Sequence, residues 1–272
     1  MLGKLFKHEL KATYRLQLPI TAAVIVVTLV EILLTTVSGS MKDGTILNTF
    51  LAIVTTIVSI AYVLMLIAYI LTAHFIGIQR YYKNIFTDEG YLTLTLPVKT
   101  GYHQFVKLVV ALFWAVVSIV VLIGCVYLIL GSATEFISPI QLWAQISDTY
   151  SYLHPTALFL LTAVAVLASE ISFFTMAYFC IAVGQTFSKK HKVAAALVTY
   201  LVLYTILQTA LFFLIIGGVV VFGDQIESVF NSGMEVQVLY GVLIGSSAFS
   251  LLLSGVMYGI TNYFTRRKLN LE

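Results

Sequence analysis

The chain has 272 residues, of which 60% are hydrophobic and only 10% are charged, and its net charge is +3. Soluble domains carry about 25% charged residues, so this composition and a mean hydropathy of +1.00 exclude an ordinary soluble domain. Crossing a hydrocarbon core about 30 Å thick takes a long apolar run. The sequence therefore predicts an all-α polytopic membrane protein with a single transmembrane domain. The predicted spans are 18–37, 50–76, 106–130, 156–183, 193–216 and 238–264.

The cations predict the orientation of these spans. If both termini lie inside, the inside segments contain every cation except Lys42, which is 14 of the 15. The inside cations are Lys4, Lys7, Lys11, Arg15, Arg80, Lys83, Lys99, Lys107, Lys189, Lys190, Lys192, Arg266, Arg267 and Lys268. Such an asymmetry is typical of the cytoplasmic side. We therefore expect both termini to be cytoplasmic.

Residues 1–16 predict an amphipathic helix. At about 100° per residue, Lys4, Lys7, Lys11 and Arg15 fall in one narrow sector, and Leu and Phe side chains occupy the opposite side. Helices of this kind lie among lipid head groups with their cations toward water. The alternative is a plain basic flank of the first span.

Two segments outside the membrane are predicted to carry further structure. The fifth apolar run continues to Phe222, longer than a span requires, and Gly217-Gly218 offers a break. The stretch after it either re-enters the outer leaflet as a helical element or forms the end of a tilted helix. The segment 131–155 contains Trp143 and suits an amphipathic piece at the outer interface.

Two carboxylates fall inside predicted spans. Glu31 lies in the outer half of the first span, and Glu170 lies near the middle of the fourth. Ionised groups are costly there and usually face a bundle interior or a wet cavity. Tyr204 and Gln208 are at a suitable depth to hydrogen-bond Glu170. Each carboxylate is either a cavity-lining or proton-exchanging group or a protonated packing residue, and packing is favoured for Glu31.

The sequence contains no catalytic motif. The pattern G-x-x-x-x-G-K-[ST] is absent, as is H-E-x-x-H, and the five histidines are scattered over different segments. Cys125 and Cys180 lie inside predicted spans and have no Cys or His at the spacing of metal ligands. We therefore expect both to be small packing residues. We therefore expect no catalytic site, metal or cofactor in this chain, and no nucleic-acid partner.

One polar segment, 79–105, interrupts two apolar runs on the inside. Thr87 or Asp88 is suited to cap a short helix near Glu89, LTLTL alternates as an extended piece does, and Pro97 ends that piece. A mere connector needs only about two to eight residues. The segment is therefore predicted to be folded and to contact another protein, the alternative being a loop that only stabilises the bundle.

Three stretches carry a resemblance to a known family. They read YYKNIFTDEGYLTLTLPVKT, YFCIAVGQTFSKKHKVAAALVTY and, at the N-terminus, MLGKLFKHELKATYR. Together they resemble the membrane subunits of bacterial ABC exporters of the type-2 permease family. The resemblance implies six spans, an interfacial N-terminal helix, a coupling helix between spans two and three, and re-entrant helices between spans five and six.

The resemblance also implies partners. A separate ATP-binding subunit, which would hold ATP and Mg²⁺, would dock on the inside of a dimer of two permease subunits, identical or not, in a bacterial plasma membrane. The residues expected to couple to the ATPase are Asn84, Phe86, Asp88, Glu89 and Tyr91. The residues expected in a second cytoplasmic contact are Gln185, Lys189, Lys190 and His191. The expected cargo is an amphipathic peptide, a lipid-like molecule or a drug.

Two other functions fit the sequence. The first is a proton-coupled secondary transporter that uses Glu170, although the two halves of the chain show no convincing internal repeat. The second is a membrane partner protein that transports nothing itself. Membrane lipids are expected partners under the exporter hypothesis and under both of these, and neither alternative would need an ATPase.

Overall fold

A computed structural model describes residues 2–40, 46–87, 90, 100–133, 137–187, 191–231 and 235–267. The described chain is all-helical, and no strand occurs in these ranges. Its α-helices are α1 (Leu2–Gly39), α2 (Ile46–Phe86), α3 (Thr100–Ala133), α4 (Pro139–Thr149), α5 (Pro155–Phe187), α6 (Lys192–Asn231) and α7 (Glu235–Arg267). One 3-10 turn, Ser151–Leu153, follows α4.

Six of these helices, all except α4, are long and apolar enough to cross a membrane. Each predicted span lies within one of them, so the prediction of six spans is confirmed at this level. Their apolar side chains are largely exposed in the isolated chain, because a membrane helix turns such side chains toward lipid. The described chain thus has the pattern of a multi-pass helical membrane protein.

The N-terminal segment differs from the expectation of a separate interfacial helix. Residues 1–16 and 18–37 were expected as two elements, whereas α1 runs unbroken from Leu2 to Gly39 and contains Pro19. Proline inside a helix costs about 3 kcal/mol. The helix persists because buried residues before and after Pro19 lie on one continuous face, which a break would misalign.

The helix that contains the fifth predicted span, 193–216, is also longer than that span. Helix α6 passes through Gly217-Gly218, and its backbone departs from helical geometry at Phe222, with φ −115° and ψ 15°. Two glycines cost about 1 kcal/mol each in a helix. Unbonded backbone groups cost more in an apolar medium, so the helix continues to the end of the apolar run. The re-entrant element stays a prediction.

The predicted inside segment 79–105 is partly helical. Helix α2 extends to Phe86 and α3 begins at Thr100, so the run QRYYKN belongs to a helix. Gly90 closes a turn, since its N–H donates to the carbonyl of Thr87 at 2.7 Å. The predicted short helix near Glu89 and the extended LTLTL piece lie outside the described residues.

The chain divides into two compact units. The first comprises residues 1–80 and 105–144, and the second comprises residues 81–104 and 145–272. In the first unit, one apolar cluster joins Val24 of α1 to Tyr62 and Tyr69 of α2 and Cys125 of α3. A second cluster packs Leu and Phe side chains from the start of α1 against Trp114 and its neighbours on α3. The apolar side of the predicted interfacial helix therefore contacts protein.

The second unit is built around α5, which packs against both α6 and α7. Its core includes Met176 and Cys180 of α5 and Met257 of α7. The approach of α5 to α6 is close, because a Cβ at Gly184 would lie 2.6 Å from the backbone nitrogen of Ala196. Both cysteines of the chain are free and buried.

Candidate functional site

Helix α1 presents a line of polar side chains to the interior of the first unit. Glu9, Thr13, Gln17, Thr28 and Glu31 are all less than 9% exposed. Their spacing of three, four or eleven residues places them on one helical face. With half-buried Thr21 they form what we call the polar stripe. A stripe of this kind marks a face that contacts other helices, because polar groups are costly against lipid.

An ion cluster holds the N-terminal end of the polar stripe. Glu9 Oε1 accepts from Arg80 Nε of α2 at 2.8 Å and from Lys107 Nζ of α3 at 3.1 Å. The Lys107 side chain is 6% exposed and the Arg80 side chain 20%. One carboxylate therefore pairs with two cations from two other helices. Removing it would leave charge in a poorly hydrated place.

A small cavity lies beside this cluster. It has a volume of about 10 Å³ and is lined by Glu9, Thr13, Arg80, Lys107 and Trp114, together with apolar residues of α2 and α3. That volume is at the lower limit for one water molecule. The space left beside the ion cluster is therefore too small to hold a substrate.

Hydrogen bonds continue along the polar stripe to α3. Trp114 Nε1 donates to Thr13 Oγ1 at 2.9 Å, and Gln17 Nε2 donates to Ser118 Oγ at 3.4 Å. Thr13 is able to accept because its own hydroxyl donates to the carbonyl of Glu9 at 3.0 Å. Interhelical hydrogen bonds in membrane proteins contribute about 0.6 kcal/mol each. Helix α1 is therefore pinned to α3 at successive turns.

The second half of the polar stripe contacts α2. Thr21 and Thr28 hydrogen-bond the hydroxyls of Tyr69 and Tyr62, each at 3.0 Å. Ser59 Oγ donates to Glu31 Oε1. Among the described residues no donor lies within hydrogen-bond distance of Glu31 Oε2. The stripe thus ends on a buried carboxylate that is half satisfied.

Ser59 also lines an open cleft between the end of α1 and the start of α2. The cleft has a volume of about 710 Å³, and its lining includes Thr35 and Ser38 of α1 and Thr55 and Thr56 of α2. Small-molecule sites commonly measure about 300–1,000 Å³. The cleft therefore has the size of a ligand site, whereas the cavity at Glu9 does not.

The other predicted intramembrane residues lie in the second unit. Glu170 of α5 is half-buried, and it has a polar or electrostatic interaction with another group. Tyr204 of α6 stacks on Tyr200 at a ring-centroid distance of 6.1 Å, and Tyr204 and Gln208 are both exposed. These two side chains therefore lie on the exposed face of α6. Their predicted hydrogen bonds with Glu170 stay a prediction.

The predicted coupling residues occupy the end of α2 and the segment after it. Phe86 is buried in the second unit, and Asn84 is half-buried. Phe86 contacts Tyr81 edge-on at 5.7 Å, and Tyr81 stacks on Tyr178 of α5 at 3.8 Å. With Phe174, which lies 6.3 Å from Tyr178, these rings form the aromatic cluster. The other predicted coupling residues, Asp88, Glu89 and Tyr91, lie outside the described residues.

The predicted second cytoplasmic contact lies between the end of α5 at Phe187 and the start of α6 at Lys192. Gln185 is half-buried, and within the described chain its Nε2 has no hydrogen-bond partner. His191 immediately precedes α6, and its carbonyl accepts from the Ala195 N–H at 3.0 Å. Lys189 and Lys190 lie outside the described residues.

These features are those of a multi-pass helical membrane protein, and they do not by themselves indicate a function. The described chain has six helices that could span a membrane, a buried polar stripe, and no group of three or more His, Cys, Asp or Glu side chains able to hold a metal ion. No protein-family model matches the chain, and comparison with curated proteins and solved structures gives no significant match.

Proposed function

We propose that the chain is the permease subunit of an ATP-driven ABC exporter in a bacterial plasma membrane, with both termini in the cytoplasm. It would form half of a translocation pathway with a second permease subunit and would couple to a separate ATP-binding subunit. The cargo would be an amphipathic peptide, a lipid-like molecule or a drug. The sequence resemblance over nearly the whole chain motivates this proposal.

The observation that best supports it is the attachment of the predicted coupling segment to a buried core. Tyr81, Ile85 and Phe86, in the last turns of α2, are 0%, 1% and 5% exposed. They join the segment that follows them to α5 through the aromatic cluster. Close-packed side chains shift together, so a force on this segment would move α5 instead of being lost in a loose loop.

Such a connection suits a transporter that works by rigid-body movement. ATP binding in the partner would favour one of two helix arrangements, and the difference in binding free energy between them would drive the change. The aromatic rings would carry the displacement, since each ring pair contributes about 0.5–1.5 kcal/mol beyond burial. The proposed role of the chain is therefore mechanical and transport-related, with nucleotide hydrolysis in another subunit.

The test is purification of the full chain from its native host in mild detergent, followed by identification of what co-purifies stoichiometrically. We expect a soluble P-loop ATPase, lost when Asp88→Lys and Glu89→Lys are combined. The matched control is Asp148→Lys with Asp224→Lys, two exposed acids on the predicted outer side. A chain that emerges alone at every detergent concentration would contradict the proposal and favour the proton-coupled carrier.

A further inference from the structure

Five hydroxyl residues line the cleft between α1 and α2, and four of them, all except Ser38, already donate their hydrogens within the chain. Thr35 Oγ1 donates to the carbonyls of Glu31 and Ile32, each at 3.0 Å. Thr56 Oγ1 donates to the carbonyl of Ala52 at 2.7 Å. Thr55 likewise donates within its own helix, and Ser59 donates to Glu31. A hydroxyl has one hydrogen and two lone pairs, so these groups have only lone pairs left for a ligand.

A carboxylate stands directly behind this surface. Glu31 is 3% exposed, its Oε1 accepts from the cleft residue Ser59, and no described residue donates to its Oε2. The cations of the ion cluster cannot serve it. Glu9, which they contact, lies 22 residues earlier on the same helix, a distance of about 33 Å at 1.5 Å per residue.

The rim of the cleft is apolar. Ile60, Val63 and Leu64 of α2 line one side, and each is more than half exposed. A ligand seated here would meet acceptor oxygens at one end and hydrocarbon at the other. Buried carboxylates need paired charge or hydrogen bonds, so an ionised Glu31 requires a group that donates hydrogen bonds and carries positive charge, and no described residue supplies one to its Oε2.

We propose that this cleft binds the primary ammonium group of an amphiphile, with Glu31 as its counter-ion and the cleft hydroxyls as acceptors. The four hydroxyls that offer only lone pairs select N–H donors over quaternary ammonium groups, which have charge but no hydrogen to donate. That the bound amphiphile is the exported cargo rests on the proposed function. The binding site itself needs neither ATP nor a partner.

The test measures protection of Glu31 from dicyclohexylcarbodiimide, an apolar reagent that modifies carboxyl groups. The full chain is placed in phosphatidylcholine nanodiscs without nucleotide or ATPase, and modification of Glu31 is followed by peptide mass spectrometry. Glu31 in SDS-unfolded protein sets full modification, and Glu170 is the internal control. We expect dodecylammonium to protect Glu31 and to leave Glu170 unchanged.

Matched ligands and variants sharpen this test. Dodecyltrimethylammonium and dodecanol should protect at least about tenfold less well, because the first lacks N–H donors and the second lacks charge. Thr35→Val should weaken protection, and Thr36→Val should not, because Thr36 adjoins Thr35 on α1 but does not line the cleft. Nanodiscs containing phosphatidylethanolamine distinguish the source of the amine. If that lipid protects Glu31 unaided, the ligand is a membrane lipid and not a free amphiphile.

Three outcomes would overturn the inference. They are equal protection by the ammonium and the trimethylammonium compounds, no protection by either, and no modification of Glu31 in the folded chain. None of them bears on the ATPase, because nucleotide and partner are left out. Absence of a co-purifying ATPase would in turn contradict the proposed function and leave the binding site standing.

Discussion

We expect substitution of Glu9 in the ion cluster, at the start of the polar stripe, to have the largest effect on the stability of the first unit. Replacing Glu9 by Gln keeps its size but removes the charge that faces Arg80 and Lys107. Both cations contact the same carboxylate oxygen, at 2.8 and 3.1 Å. Breaking a buried ion pair from one side costs about 3–5 kcal/mol, because the remaining charge stays uncompensated. Arg80 is partly exposed and can turn to water, so we expect a loss of about 3 kcal/mol.

The assay is equilibrium unfolding by SDS in dodecylmaltoside micelles. Trp114 donates to Thr13 in the polar stripe, and Trp143 is the chain's other tryptophan. A Trp143→Phe background therefore makes indole fluorescence a local reporter of the first unit. Lys11→Gln is the matched control, because Lys11 is an exposed cation on the same helix, and its effect should stay within about 0.5 kcal/mol.

A double substitution tests the reasoning more strictly. If Glu9→Gln destabilises by removing the carboxylate that Lys107 contacts, then Glu9→Gln combined with Lys107→Gln should cost less than the sum of the two single changes. Additive free energies would refute the pairing argument. An effect of Glu9→Gln no larger than that of Lys11→Gln would refute the claim that the cluster stabilises the unit.

The remaining predictions concern two close-packed glycines and one carboxylate. A Cβ at Gly90 would overlap the carbonyl oxygen of Ile85, so Gly90→Ala should distort the turn after α2 and lower the amount of co-purified ATPase. The control Gly124→Ala should not, because a Cβ at Gly124 would meet no atom within 4 Å. Gly184→Ala should cost about 1–3 kcal/mol in SDS unfolding by forcing α5 from α6, and unchanged stability would contradict that close approach. Glu170→Gln should leave ATP-dependent transport in proteoliposomes intact, and its loss would favour a proton-coupled carrier.

The spans were predictable because run length and composition alone decide whether a helix can cross a membrane. Their ends were not. Gln17 falls between the predicted interfacial helix and the first span, yet it is a buried interior residue of α1 and donates to Ser118. The hydrophobic pattern changes at that point because the helix leaves one environment for another, and a change of environment need not end a helix.

The polar stripe was visible in the sequence but was masked by a stronger signal. Glu9, Thr13 and Gln17 follow one another at four-residue spacing, the mark of a single helical face. The exposed cations of the same segment made the opposite face look like the informative one. The partners could not be found at all, because Arg80 and Lys107 lie 71 and 98 residues from Glu9 in the chain.

Glu31 shows the same limit at the other end of the stripe. Its depth in the first span followed from counting residues, and packing was favoured over a cavity. The cleft beside it depends on how far the end of α1 stands from the start of α2, which no local pattern records. Within the described chain the structure adds Ser59 as a hydrogen-bond partner of Glu31 and shows that hydroxyl groups line the cleft. These two observations favour a ligand-binding role for Glu31 over a packing role.

The two units differ in what holds their helices together, and this difference bears on how each could move. In the first unit, α1 is joined to its neighbours by directional bonds from Glu9 to Glu31, and such bonds are lost when helices slide by even a fraction of a turn. In the second unit, the cluster around Tyr81 and Tyr178 is held by ring contacts, which tolerate small shifts more readily. We therefore expect the first unit to behave as a rigid body, and we expect the helix packing around α5 to shift when the aromatic cluster carries a displacement to it.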